Sequence, residues 1–224
     1  MGVDVINGSP QFRELWTKRE KENENQYLAL HPDSLIPKFA KELAALGYTA
    51  ETTAQLLRYM PRHKGAFLPI VKAYYQLAKQ EGLHDEQNFF LQFFHYRGLD
   101  EVVPLLIEDY KDVDTADSTR WFISDCLYQI CSPNFLTEYI DLVSNPQYGI
   151  NRQMLVLLLG KLKSEYAVST LLMLVDDGDV AIQAIMALGE YRRIEFQPCF
   201  ERFLTSKKQG LRNAARISLK KIKT

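Results

Sequence analysis

The sequence is poor in residues that build covalent or metal-bound frameworks. Its three cysteines, Cys126, Cys131 and Cys199, include no Cys-x-x-Cys pair, so neither a disulfide framework nor a zinc module is predicted. The four histidines show no metal-ligand spacing such as His-Glu-x-x-His. We therefore expect no metal site and a reducing, cytoplasmic compartment.

Long apolar runs and an excess of one charge are also absent. No run reaches the roughly 18 residues that a membrane span needs, and the first residues, MGVDVINGSPQF, lack the pattern of a targeting segment. The formal charge of −1 gives no overall attraction to nucleic acid or to an anionic membrane. No strand pattern, glycine-rich phosphate loop or nucleophile motif is found, so we expect no cofactor and, more readily than an enzyme, a non-catalytic protein.

An internal repeat is what the sequence does contain. Segments of one pattern start at Thr119, Asn151, Val180 and Leu211, with spacings of 32, 29 and 31 residues. They read TRWFISDCLYQI, NRQMLVLLLGKL, VAIQAIMALGEY and LRNAARISLKKI. Apolar or small residues dominate positions one, five, eight, nine and twelve, which form one face of a helix with 3.6 residues per turn. The repeat therefore predicts four amphipathic helices that bury the same face.

A shorter apolar-periodic run precedes each of the later segments. These runs start at Phe135, Ala167 and Phe196, and turn-forming residues follow each of them. Each run is predicted to be the first helix of an antiparallel pair. Position ten of the second helix is Gly160 and Gly189 in two units, although glycine costs about 1 kcal/mol relative to alanine in a helix. We expect these glycines to leave room for a neighbouring backbone or for the turn to the next unit.

Paired helices that recur about every 30 residues, with Leu211-Arg-Asn-Ala-Ala and Ala187-Leu-Gly-Glu-Tyr as the closest matches, resemble the HEAT-repeat family and its short bacterial branch. The resemblance implies an all-α, right-handed α-solenoid of about five helix pairs with atypical N-terminal helices. Three segments are predicted within one continuous domain: a charged N-terminal segment over 1–32, degenerate N-terminal helices over 33–98, and the repeat array over 99–224.

Positions three and seven point away from the predicted buried face and toward the concave surface of such a solenoid. They are Trp121, Asp125, Gln153, Leu157, Ile182, Met186, Asn213 and Ile217. An apolar outer surface of this kind usually binds a protein or peptide. The alternative is that a preceding helix or the N-terminal segment fills the groove.

Position two is arginine in three units, at Arg120, Arg152 and Arg212. The resemblance to HEAT arrays implies that these arginines pair with aspartates in the turns of neighbouring repeats. The second interpretation is that one of them contacts an anionic ligand.

Trp121 and Asp125 lie one helical turn apart and permit a catalytic interpretation. Their arrangement resembles HEAT-like alkylpurine DNA glycosylases, which implies a stacking role for Trp121, a catalytic carboxylate at Asp125 and a phosphate contact at Arg152. A second cleft tryptophan is missing from the later repeat, and residues 100–145 hold ten acids against two bases, a net charge of −8 that would repel DNA.

The C-terminal segment is basic, with ten bases and two acids over residues 192–224. Arg212, Arg216 and Lys220 recur every four residues and form a stripe on the last helix. Such a stripe could bind nucleic acid or an acidic protein, or could be a solubilising cap of the array. We expect a protein-binding scaffold or adaptor, with a DNA glycosylase, or a bacterial immunity or regulatory protein that neutralises an enzyme, as the alternatives.

Overall fold

The protein is helical throughout the part that a computed structural model describes. The backbone is described for residues 10–222 and the side chains for residues 14–222, and this part contains twelve α-helices and no β-strand. The predicted all-α class is therefore confirmed. The chain divides into two compact units, of which the first ends at Phe93 and the second begins at Phe94, while the predicted boundaries after residues 32 and 98 stay predictions. None of the described helices is long and apolar enough to cross a membrane.

The first unit contains four of the α-helices. They are α1 (Pro10–Leu30), α2 (Ile36–Ala45), α3 (Met60–Gln80) and α4 (His84–Leu91). Between α2 and α3, where the periodicity predicts a helix over 51–60, the chain forms a 3-10 helix over Thr53–Tyr59. The amide of Thr53 donates to the carboxylate of Glu24 on α1 at 3.0 Å. The local pattern could not reveal this tertiary bond, which holds the start of the segment.

Aromatic packing forms the core of the first unit. The ring of Phe39 on α2 meets the rings of Phe90 and Phe93 edge to face, with centroids 5.1 and 5.3 Å apart. The buried carboxylate of Glu86 accepts a hydrogen bond from the Leu35 amide at 2.9 Å, so this buried charge stabilises the start of α2. Gly47 has φ +88° and follows α2 as a left-handed C-terminal cap.

The second unit consists of four helix pairs. They are α5 (Val103–Lys111) with α6 (Asp117–Ile130), α7 (Leu136–Ser144) with α8 (Gln153–Leu162), α9 (Val168–Leu174) with α10 (Ala181–Glu190), and α11 (Gln197–Glu201) with α12 (Gln209–Ile222). In addition, α6 packs on α8, α8 on α10, and α10 on α12. The four repeated segments are thus successive neighbours in space.

Burial within the second unit follows the register of the repeat. Positions five and eight are buried in all four second helices, and position nine is buried in the first three. Position twelve is buried at Ile130 and only partly buried at Leu162, Tyr191 and Ile222. The buried face predicted by the periodicity therefore exists, and it is tightest in the middle of each helix.

Gly160 and Gly189 mark the closest approaches between second helices. A Cβ atom on Gly160 would lie 2.5 Å from the Cα and 2.7 Å from the Cβ of Ala187 on α10. One on Gly189 would lie 2.8 Å from the Cβ of Ser218 on α12, whose hydroxyl donates to the Ile185 carbonyl. Ala187 and Ser218 both hold position eight. The predicted room for a neighbouring backbone is thus used by the small residue of the next helix.

The second helices end in a turn that the sequence does not reveal. Position thirteen has a left-handed backbone at Cys131, Lys163 and Arg192, with φ between 54° and 56°. The amides of Cys131 and Lys163 donate to carbonyls four residues earlier, as in a helix C-cap with a left-handed residue. Glycine is the usual residue at such a position. The same left-handed turn therefore recurs after three second helices without the glycine that would have predicted it.

Candidate functional site

Positions three and seven of the four second helices form the surface that we name the open face. Its residues are Trp121, Asp125, Gln153, Leu157, Ile182, Met186, Asn213 and Ile217. None is buried, and the exposed fractions of Trp121, Ile182 and Ile217 are 41%, 37% and 45%. Because the four helices pack in succession, these positions follow one another across the second unit. The open face is therefore largely apolar and accessible along its length.

A histidine joins the open face at its α6 end. The Nε2 atom of His95 lies 3.5 Å from a carboxylate oxygen of Asp125, close enough for electrostatic attraction. Their side chains are only partly exposed, and burial lowers the pKa of His95 although the charge of Asp125 acts in the opposite direction. A mostly neutral imidazole at neutral pH thus neighbours the carboxylate one helical turn from Trp121. Sequence reasoning missed His95 because it belongs to no repeat position and no ligand motif.

Two residues of the open face also connect neighbouring helix pairs. The side-chain amide of Gln153 donates to the Asp179 carbonyl at 2.9 Å. The Cδ1 atom of Ile182 lies so near the backbone of Gly210 that a Cβ atom there would be 2.6 Å away. Gln153 and Ile182 are therefore partly committed to packing, whereas Trp121 and Ile217 extend further into solvent.

Arg152 is not a surface residue, and its predicted place among ligand-binding residues is wrong. Its side chain is 1% exposed, and its guanidinium lies 2.9 Å from Asp177 and 3.6 Å from Asp179 in the turn before α10. Burial by itself raises the pKa of Asp177, but the hydrogen bond and charge of Arg152, with hydrogen bonds from the amides of Asp179 and Val180, outweigh it and leave that pKa below its ordinary value. Arg152 thus pairs with the turn of the next repeat and cannot reach a DNA phosphate.

The arginines at position two share a further role that the sequence did not predict. Arg120 donates to the carbonyls of Tyr110 and Asp112, Arg152 to those of Val143 and Gly149, and Arg212 to those of Ser206 and Lys207. The carbonyls of Tyr110, Asp112 and Val143 lie at the end of the preceding first helix, where intrahelical donors run out. Those of Gly149, Ser206 and Lys207 lie in the connection to the second helix. Each arginine therefore stabilises the turn inside its own helix pair.

The basic stripe of α12 contains one arginine that binds turn carbonyls and two cations that are exposed. The guanidinium of Arg212 is half-buried and occupied by two backbone carbonyls. Arg216 and Lys220 are exposed, while the adjacent Lys221 forms an ion pair with Glu190 on α10. Only Arg216 and Lys220 of the predicted stripe therefore project from the surface of the second unit.

Other exposed or hollow features lie outside the predicted site. In the second unit, Tyr166 and Met173 expose 82% and 69% of their side chains near the start of α9 and along it. In the first unit, a cavity of about 300 Å³ lies beside Glu24, Lys41 and Tyr48. The sequence pattern predicted α9 only as the first helix of an antiparallel pair and did not reveal either feature.

No cluster of His, Cys, Asp and Glu side chains suited to a metal ion occurs within the described part of the chain. No model of a protein family matches the chain, and no curated protein matches it. The function must therefore be inferred from the geometry of the second unit.

Proposed function

We propose that this chain is a non-catalytic protein-binding scaffold of the HEAT-repeat type, an α-solenoid whose second helices line a concave binding surface. One observation carries the proposal: none of the eight outward positions on four successive helices is buried, although five of them are apolar. Exposed apolar side chains in a continuous row are a feature of binding surfaces, where aromatic and branched side chains act as anchors.

The partner on this surface is a protein segment that presents apolar side chains along one side. The apolar anchors that this chain offers to the partner are Trp121, Leu157, Ile182 and Met186. Charge orients it, because the α5–α7 region is acidic and the region after Arg192 is basic. A partner with a basic end toward α6 and an acidic end toward α12 therefore fits best. Neutralisation of a bacterial enzyme by an immunity or regulatory protein is a special form of this function.

Peptide selection with a tryptophan readout tests the proposal. The chain has two tryptophans, so Trp16→Phe leaves Trp121 as the sole indole and its emission reports on the open face. Peptides selected from a random library on this variant are expected to change the emission of Trp121. Their affinity should fall at least about tenfold with Leu157→Gln and Ile182→Gln together, because buried apolar anchors dominate binding energy.

The matched control for this experiment is Leu172→Gln with Met173→Gln, which alters exposed apolar residues on α9 outside the open face. This control is expected to leave the affinity unchanged. Equal losses in the two double variants, or selected peptides that leave Trp121 emission unaltered, would remove the proposed binding surface.

An alkylpurine DNA glycosylase is the second candidate, because an exposed indole lies one turn from the partly exposed carboxylate of Asp125. The burial of Arg152 weakens this candidate, since its phosphate contact is missing. Titration of an alkylated duplex at low and moderate salt tests it. Salt-dependent binding together with base release that Asp125→Asn abolishes would favour the enzyme over the scaffold.

A further inference from the structure

The outer side of α12 corresponds to the side through which the inner second helices receive their neighbours. Positions six and ten are Val156 and Gly160 on α8, and Ile185 and Gly189 on α10, and all four are buried. The glycines touch position eight of the following helix. Positions six and ten are therefore the helix-accepting positions of this unit.

On α12 these two positions hold Arg216 and Lys220, both exposed. We name this pair the docking ridge. Its two cations lie one helical turn apart, which matches the spacing of two glutamates placed four residues apart on a facing helix. Ile217 lies beside them with 45% of its side chain exposed, so the ridge has an apolar border.

We propose that the docking ridge binds an acidic amphipathic helix of a partner protein, which lies along the side of α12 that corresponds to the helix-accepting side of α10. The partner helix lies farther from α12 than α12 does from α10, because Arg216 and Lys220 replace the smaller residues of the inner contact. The charge of the ridge supplies the chemistry of this contact. Residues 192–224 carry ten bases and two acids, so an acidic helix finds favourable charge around the ridge as well as on it. This surface adjoins the open face at Ile217, and its proposal is independent of the scaffold function.

A protein helix suits the ridge better than a nucleic acid does. The two cations of the ridge lie only one helical turn apart, whereas a nucleic-acid strand needs charge along an extended path. Residues 100–145 of the same unit carry a net charge of −8, which repels a long polyanion. A short helix with apolar and acidic faces meets neither difficulty.

Binding of designed helical peptides to the full chain tests the proposal. The probe is a fluorescent alanine-rich peptide of roughly 20 residues, long enough to be helical in water, with glutamate at every fourth position and leucine beside it. The control peptide has glutamine in place of glutamate, and a single-stranded oligonucleotide of similar length is the third ligand. Fluorescence anisotropy at low and moderate salt gives the three affinities.

The glutamate peptide is expected to bind more tightly than the glutamine peptide and the oligonucleotide. Arg216→Gln with Lys220→Gln should weaken its binding roughly three- to twentyfold, as expected for two exposed ion pairs. The matched control, Lys18→Gln with Lys38→Gln, removes the same charge from exposed side chains of the first unit and should weaken binding less than twofold.

Circular dichroism of both double variants should match that of the unsubstituted chain, since only exposed side chains change. The proposal is overturned if neither peptide binds, as a purely solubilising cap requires, or if the two peptides bind equally. It is also overturned if the oligonucleotide binds more tightly than the glutamate peptide, or if the two double variants lose affinity equally.

Discussion

Replacing Gly160 by alanine tests whether close helix contact explains the glycines of the repeat. The new Cβ would lie 2.5 Å from the Cα of Ala187 and 3.0 Å from its carbonyl oxygen. These are backbone atoms, so no side-chain rotation can relieve the overlap. Helices α8 and α10 must move apart by roughly 1 Å to restore ordinary contact distances.

The net effect of this substitution is the difference of two opposing terms. Overpacking of a rigid interface costs about 3 kcal/mol, the upper end of the usual range. Alanine recovers about 1 kcal/mol of helix propensity. Gly160→Ala is therefore expected to lower the free energy of unfolding by about 2 kcal/mol, measured by urea denaturation followed by circular dichroism.

Gly65 on α3 provides the control because it is exposed, helical and has no atom within 4 Å of a built Cβ. Gly65→Ala should raise the free energy of unfolding by about 0.5–1 kcal/mol, the propensity gain alone. The opposite signs at two helical glycines are the specific prediction. If Gly160→Ala stabilises the protein as much as Gly65→Ala does, the close approach of α8 and α10 is refuted.

Three further predictions concern the second unit. Lys163→Gly should raise the free energy of unfolding in urea by about 0.5–1 kcal/mol, since a left-handed backbone strains lysine and not glycine; a loss of stability would contradict this. Arg152→Met should destabilise the protein by about 3 kcal/mol because Asp177 and two carbonyls lose a buried partner. Arg202→Met, which removes an exposed ion pair, should cost under about 1 kcal/mol. Equal losses would refute the distinction between the buried and the exposed pair. The pKa of His95 is lower in the folded protein than its unfolded value of 6.5. The stability that the neutral imidazole contributes is therefore fully present above that value and is lost as the pH falls below it. His95→Gln should flatten the decline of urea stability between about pH 7 and pH 5, and an unchanged decline would disprove the assignment.

The periodicity of the second helices allowed much of the second unit to be predicted. Positions five and eight are buried in every unit because a helix with one apolar face must pack that face against its neighbours. The glycine at position ten was informative for a related reason: its propensity cost requires a compensating contact. Ala187 provides that contact at Gly160.

Features that depend on partners distant in sequence could not be predicted from the pattern. The burial of Arg152 is the clearest case. The resemblance to HEAT arrays implies its pairing with aspartates of a neighbouring turn, but the repeat pattern does not show that its guanidinium is buried beside Asp177 and Asp179. Lys163 shows a second limit, since lysine gives no sign of a left-handed backbone. His95 shows a third, because its neighbour Asp125 lies on the following second helix.

The contact between Gly160 and Ala187 has a mechanical consequence. Flexible side chains at a helix interface act as compressible spacers, but here backbone meets a methyl group and the separation of α8 and α10 is fixed at that point. The same holds between α10 and α12 at Gly189 and Ser218. Adjacent helices can rotate about these points more easily than they can separate. Any change in the angles between α8, α10 and α12 is therefore expected to use these glycines as pivots.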